Sequence, residues 1–131
     1  MKPLSIVIAD DSHDSAESMA MVLTLWGHNV NVCEMAEKTI DCCIKHWPDV
    51  VLLDIGFPTK KDGLGIAREL RRWPRLRDAA IIAVTGYGDQ CTRDLAMEAD
   101  FDHYMVKPVD LDELKQILAL IKPQKESFQV A

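Results

Sequence analysis

The feature that most restricts this chain is its alternation. Short apolar runs take turns with stripes of apolar residues at helical spacing. The first run is Leu4 to Ala9. Ala16, Met19, Ala20, Leu23 and Trp26 then recur along one helical face, and Gly27 stands where such a helix stops. Val30 and Val32 alternate with Asn29 and Asn31, as in a more exposed strand. Ala36, Ile40, Cys43, Ile44 and Trp47 form a second stripe closed by Pro48. Val50 to Leu53 is a continuous apolar strand, Ile66, Leu70 and Trp73 mark a third helix ended by Pro74, and Ala79 to Val84 is the fourth strand. A weaker stripe, Leu95, Ala96 and Ala99 behind a capping Asp89, predicts a short or mobile helix. Phe101 to Val106 is the fifth strand, and Asp110 with Glu113 resembles a capping box ahead of Leu111, Leu114, Ile117, Leu118 and Ile121.

The order (βα)₅ predicts a doubly wound parallel sheet with helices on both faces. Runs one, three and four are the most apolar and should be central, where a strand is buried on both sides. The 131 residues suit one domain, with a core over about 4–121 and a short tail from 123 to 131. At 48% apolar and 27% charged residues, the composition favours a packed core over disorder. A net charge of -6 argues against a nucleic-acid partner held by phosphate contacts. Cys33, Cys42, Cys43 and Cys91 show no framework spacing, which fits reduced intracellular thiols. No apolar run is long enough for a membrane span, and Met1-Lys2-Pro3-Leu4 lacks the pattern of a signal peptide, so the cytoplasm is expected.

The chemistry follows the strands. Strand one ends in Asp10-Asp11, strand three in Asp54, strand four in Thr85-Gly86 and strand five in Lys107-Pro108. In open α/β sheets the carboxyl ends of the strands border the ligand crevice, so these residues converge on one rim. Two like unit charges ~4 Å apart repel by roughly 4 kcal/mol at an effective dielectric of ~20. That is a large part of a domain's total stability of about 5–15 kcal/mol. A positive charge must therefore sit among the carboxylates, or one must stay protonated. Lys107 offers one charge, and a hard divalent cation such as Mg²⁺ suits carboxylates, waters and a phosphoryl oxygen. Phosphoryl transfer needs this kind of positioning and charge stabilisation, with Asp54 as the attacking carboxylate and Lys107 and the Thr85 hydroxyl on the phosphoryl oxygens.

The segments IVIADDS, VVLLDIGFP, AVTGYG and FDHYMVKPVD resemble the signature blocks of two-component response-regulator receiver domains, most closely those of hybrid histidine kinases. The resemblance spans about residues 4–121. It implies a flavodoxin-like sheet of strand order 2-1-3-4-5 and phosphorylation of Asp54 by a histidine kinase or a histidine phosphotransfer protein. It also implies Mg²⁺ held by Asp11, Asp54 and the Gly56 backbone carbonyl, with Asp10 reaching it through water. Thr85 and Lys107 would contact the phosphoryl group, and Tyr104 would be the aromatic switch that follows Thr85. Signalling would run through changed binding of a downstream protein, or the domain would act as a phosphate sink, without nucleic acid or membrane insertion. The chain departs from the pattern where Thr59, Lys60 and Lys61 make the loop before Asp62-Gly63 one residue longer and more basic. It departs again at Asp100, where glycine is common. Gly56 and Tyr87 occupy positions that tune dephosphorylation in the family.

Plainer roles exist for the same residues. Asp10 and Asp11 would serve as helix caps, Lys107 as a solvated lysine, Thr85 as a strand-end hydroxyl and Tyr104 as a half-buried aromatic. Cys42, Cys43 and His46 fit packing better than a metal site, and His13 fits a surface histidine. Arg68, Arg71, Arg72, Arg75 and Arg77 form a solvated amphipathic face, with docking to an acidic partner as the lesser alternative. Gly63-Leu64-Gly65 and Gly86-Tyr87-Gly88 are too short for phosphate-binding motifs. Three functions therefore compete: a stand-alone phosphoacceptor receiver, a constitutive adaptor, and a Mg²⁺-dependent aspartyl phosphatase resembling the haloacid dehalogenases. The last lacks the second acid at residue 56, which is Gly56.

Overall fold

Five strands form one parallel sheet in the order β2-β1-β3-β4-β5. They are β1 (Ser5–Ala9), β2 (Asn29–Cys33), β3 (Val50–Asp54), β4 (Ala80–Thr85) and β5 (His103–Val106). The computed structural model describes residues 2–55, 60–86, 94 and 101–123, apart from the side chains of 60–62. Within them the helices are α1 (His13–Leu25), α2 (Thr39–His46), α3 (Lys60–Leu70) and α4 (Leu111–Ala119). Asp94 is helical, and the rest of the helix expected after Asp89, the turn at Asp100 and Cys91 lie outside the described residues.

The period-two geometry of a strand sends alternate side chains to opposite faces, and here both faces are apolar. Val7, Ala9, Val51, Leu53, Ile81 and Ala83 join Cys43 of α2 and Ile66, Ala67 and Leu70 of α3 in one core. Ile6, Ile8, Val50, Leu52, Ile82 and Val84 join Ala16 and Leu23 of α1 and Leu114 and Leu118 of α4 in the other. The three runs expected to be central are central, and β2, with its alternating asparagines, is an edge.

Local stops follow the sequence signals with some shifts. Gly27, at φ 98°, ends α1. Its N–H donates to the Thr24 carbonyl and that of His28 to the Leu23 carbonyl, the paired bonds of a Schellman turn. The second helix begins later than expected, because Ala36–Lys38 is a separate 3₁₀ turn. It ends before Trp47, which takes a left-handed φ of 45° ahead of Pro48. That conformation costs a non-glycine residue about 1–2 kcal/mol. Trp73 also lies past the end of its helix, and Phe101 is buried just ahead of β5. The expected capping box is present in its first half: Asp110 Oδ1 accepts from the Asp112 and Glu113 N–H groups.

The arginine run requires a correction, because Arg71 is not a solvated surface residue. Its Nη1 donates to the carbonyls of Leu76, Arg77 and Ala79, and its Nη2 pairs with Asp102. Asp102 also accepts from the Ile81 N–H (2.8 Å). One guanidinium thus ties the end of α3 to the entrances of β4 and β5. Asp49, 1% exposed, acts similarly at the entrance of β3, accepting from the Ser5 N–H through Oδ2 (2.8 Å).

Gly63 is required by close packing. A Cβ there would lie 2.6 Å from the Ile55 Cα and 2.7 Å from its carbonyl oxygen. Helix α3 thereby seats directly on the backbone that follows Asp54. Gly63→Ala gains about 1 kcal/mol of helix preference and loses more to backbone overlap. The expected net loss is about 1–3 kcal/mol, read as a lower midpoint in urea unfolding. An unchanged midpoint would contradict the close approach.

His28 is buried, and its Nδ1 accepts from the Leu4 N–H (3.0 Å), so the ring is neutral with its proton on Nε2. Among the described residues nothing accepts that proton. Burial holds the imidazole below its ordinary pKa of 6.5. The unfolded chain therefore binds a proton that the native ring refuses, and stability falls as pH drops below 6.5 toward the lowered value. The difference in melting temperature between the native protein and His28→Gln should shrink over that range. A difference independent of pH from 7 to ~5 would refute this.

Candidate acidic site at the carboxyl edge of the sheet

In this strand order the chain reverses its direction of winding between β1 and β3, which opens a crevice at their carboxyl ends. Asp10 follows β1 on one side of that crevice, and Asp54 closes β3 on the other. Asp11 completes a trio in which one carboxylate oxygen from each residue lies within 4.8 Å of the others. Lys107, just past β5, reaches over from the far strand. Its Nζ donates to Asp54 Oδ2 at 3.0 Å and to Asp10 Oδ2 at 3.4 Å. The rim expected from the strand ends is thus assembled from residues nearly a whole chain apart.

Asp10 is buried, and its other oxygen accepts from the Ser12 N–H (2.9 Å). Ser12, rather than either aspartate, is the N-cap of α1, its hydroxyl accepting from the Ser15 N–H at 3.4 Å. Asp10 therefore positions the cap while its second oxygen faces Lys107. Asp11 is exposed, and Asp54 is half-buried. Thr85 is fully buried at the end of β4, and its carbonyl accepts from the Lys107 N–H (2.7 Å). The Lys107–Pro108 peptide is cis, in keeping with the fixed turn expected there. Tyr104 is half-buried and packs against the core cluster on the α2–α3 face. Gly56, Tyr87 and Thr59 lie outside the described residues. Lys60 and Lys61 fall in the first turn of α3, so part of the expected loop extension is helical.

Burial alone would lower the Lys107 pKa. The hydrogen bond and charge of Asp54, then those of Asp10, outweigh it and hold the ammonium above its ordinary 10.5. Lys107 is cationic throughout the neutral range, and its stabilising contribution is lost only as pH rises through that raised value. One ammonium among three carboxylates leaves two excess negative charges. The donors are all carboxylate oxygens, which suits a hard cation with oxygen ligands and disfavours soft metals. Among the described residues no other group of acids, histidines and cysteines has this metal-binding arrangement. Cys43 is fully buried in the core with its thiol pKa pushed far up by burial, as packing would have it. His13 is a surface histidine, bonded to Glu34 (2.8 Å) and Glu17 (3.0 Å).

One feature had no sequence signal. A cavity of about 330 Å³ opens beside Asp54 and Lys107 between α1 and the β5–α4 connection, lined by Met19, Val22, Leu52, Val84, Val109 and Leu111. Its apolar walls are residues that pattern as core or connection, and Asp10, Asp54 and Lys107 line it as well.

Fold and site together define a class: a doubly wound α/β domain with a lysine-bridged acidic pocket at its switch point. The profile of the response regulator receiver domain matches residues 6–119. The chain belongs to that family, the phosphoacceptor signalling modules of two-component systems. Among its relatives, a probable transcriptional regulator of Porphyra purpurea is 33% identical over 110 residues, covering 84% of this chain and 44% of the relative. The transcriptional regulatory protein KdpE of Staphylococcus aureus is 32% identical over 124 residues, covering 95% and 52%. The chain thus spans about half the length of these relatives. A crystal structure of a response regulator from Chloroflexus aurantiacus superposes with a TM-score of 0.81 at 27% identity, covering 89% of this chain and 95% of that one. The receiver domain of a sensor histidine kinase from Pseudomonas aeruginosa, with a magnesium ion coordinated in its active-site cleft, gives 0.79 at 25% identity, covering 89% and 95%. No described helix is long and apolar enough to cross a membrane.

The excess negative charge has a measurable consequence. At ~4.8 Å in a water-like dielectric each carboxylate pair costs about 1 kcal/mol. Asp11→Asn in chelator and low salt removes two such repulsions and one attraction to Lys107, so it should stabilise the protein by about 1 kcal/mol, an advantage that fades with added salt. A loss of stability would show that the trio is not repulsive.

Proposed function

We propose that Asp54 is the phosphoryl acceptor, taking the group from a phosphohistidine on a histidine kinase or a histidine phosphotransfer protein. The observation that carries this is the Asp54 carboxylate itself. It ends a buried strand, lies within 4.8 Å of two other carboxylates, and is held by Lys107 at 3.0 Å. Lys107 keeps that carboxylate turned into the crevice. An Asp54 oxygen forms the new bond to phosphorus as the phosphorus–nitrogen bond of the donor breaks, its electron pair leaving on the imidazole nitrogen. Lys107 then holds one phosphoryl oxygen, and the Thr85 hydroxyl donates to another. Both offset charge that Asp54 alone would leave exposed to its neighbours.

Asp11 and Asp54, with the Gly56 carbonyl and Asp10 through water, would hold Mg²⁺. When bound, the ion would offset the two excess negative charges, so that the incoming phosphoryl group meets a site that no longer repels it. The magnesium ion in the active-site cleft of the Pseudomonas receiver supports Mg²⁺ as the cation. Loss of the Lys107–Asp54 contact to the phosphoryl group and movement of Thr85 would let Tyr104 turn inward. Phosphorylation would thereby shift the domain toward a form with a different partner surface. A downstream protein would read that form in the cytoplasm, or the domain would act as a phosphate sink. The phosphatase alternative lacks its acid at Gly56, and the adaptor alternative leaves the acidic rim without a purpose.

Incubation with acetyl phosphate and Mg²⁺, followed by intact mass, should add one phosphoryl group to the native protein and none to Asp54→Asn. Mg²⁺ should also raise the melting temperature, and Asp11→Ala should reduce that rise. An adduct that survives Asp54→Asn, or none from acetyl phosphate or any phosphorylated histidine donor, would overturn the assignment.

A further inference from the structure

The edge of the sheet opposite the acidic site has its own chemistry, which phosphoryl transfer does not use. Residues 68–78 carry five arginines against Glu69 and Asp78, a local excess of three positive charges in a chain of net charge -6. Arg71 spends its guanidinium on backbone carbonyls and Asp102, and so pins the turn from Pro74 to Ala79. The other four arginines are exposed. Among the described residues the side chains of Arg68, Arg72 and Arg77 take no ion-pair partner. Arg68 stands in the last turn of α3 and Arg72 in the turn that follows it.

Two tryptophans stand among these charges. The Arg75 guanidinium lies 4.5 Å over the ring of Trp47, and Trp47 meets Trp73 edge-on with ring centroids 5.9 Å apart. Trp73 is 37% exposed. Trp47 is held in place by the left-handed backbone that closes α2, and Lys45 and His46 precede it in the last turn. The result is a surface with aromatic side chains and exposed arginines side by side. Aromatic and arginine side chains of this kind are the residues that carry binding energy at protein interfaces.

We propose that this arginine–tryptophan surface docks an acidic segment of a protein partner, one that carries an apolar side chain among its carboxylates. The charge complementarity is local, and the negative remainder of the chain would repel a long polyanion such as nucleic acid while tolerating a short acidic peptide. The surface lies at the amino end of β3, and Asp54 lies at its carboxyl end. Four residue steps at ~3.3 Å separate them by roughly 13 Å. A partner bound here leaves the acidic crevice open, so docking is independent of the phosphorylation proposed for Asp54. The surface is a tether that holds the domain near a partner in both states.

The probe is a fluorescein-labelled peptide of twelve residues alternating glutamate and leucine, titrated by anisotropy with the full chain. In a Trp26→Phe background, the remaining indoles are the two in the patch, and their emission should shift with the same binding curve. Affinity should fall at least tenfold in Arg72→Gln/Arg75→Gln and between 50 and 300 mM salt, with phosphorylation by acetyl phosphate unchanged. Arg68→Gln/Arg72→Gln, which spares the stack on Trp47, should weaken binding as well and covers the case in which the first variant misfolds. The proposal is overturned if the peptide does not bind saturably, or binds both variants as tightly as the native protein. It is likewise overturned if oligothymidylate binds more tightly than the peptide, or if the same arginines instead drive self-association in sedimentation.

Discussion

A parallel sheet buried on both faces is the constraint on which the rest of this molecule depends. Its strands must be apolar on alternate and intervening positions alike, as Val50 to Leu53 and Ile81 to Val84 are. Helices must then cover each side, and among the described residues α1 and α4 cover one while α2 and α3 cover the other. Once the faces are committed to packing, polar side chains can approach the sheet only at its two ends. The molecule consequently has a chemical end and a structural end, and most of its charged residues of consequence lie at one or the other.

At the chemical end the problem is repulsion. Three carboxylates are brought together because β1 and β3 are neighbours, and β5 delivers one compensating ammonium from across β4. That compensation is incomplete, and the excess negative charge suits the crevice to a hard cation. Stability and function therefore oppose each other at this edge. Packing beneath it bears the cost, most visibly where Gly63 lets α3 rest on the backbone of Ile55.

At the structural end the problem is unsatisfied backbone. Strand entrances expose N–H and carbonyl groups that the ladder does not pair. Asp49, Asp102 and Arg71 meet them, each from a different connection. His28 does the same for Leu4, and leaves its own Nε2 proton without an acceptor among the described residues. The arginine–tryptophan surface grows out of these clamps, since Arg71 fixes the turn on which Arg75 and Trp73 stand.

Sequence alone determined the alternation, the parallel sheet and the central strands, because these follow from local periodicity. That Asp10, Asp11, Asp54 and Lys107 meet was legible from what stands at the strand ends. Tertiary structure alone decided which of two equivalent-looking aspartates is buried and which exposed. It decided that Ser12 caps α1, that Arg71 is a clamp while Arg72 is solvated, and that Gly63 is needed for contact rather than for a turn. It also revealed the apolar cavity beside Asp54. These depend on which surfaces meet across sequence separations of tens of residues, and a one-dimensional pattern of polar and apolar residues does not carry that information.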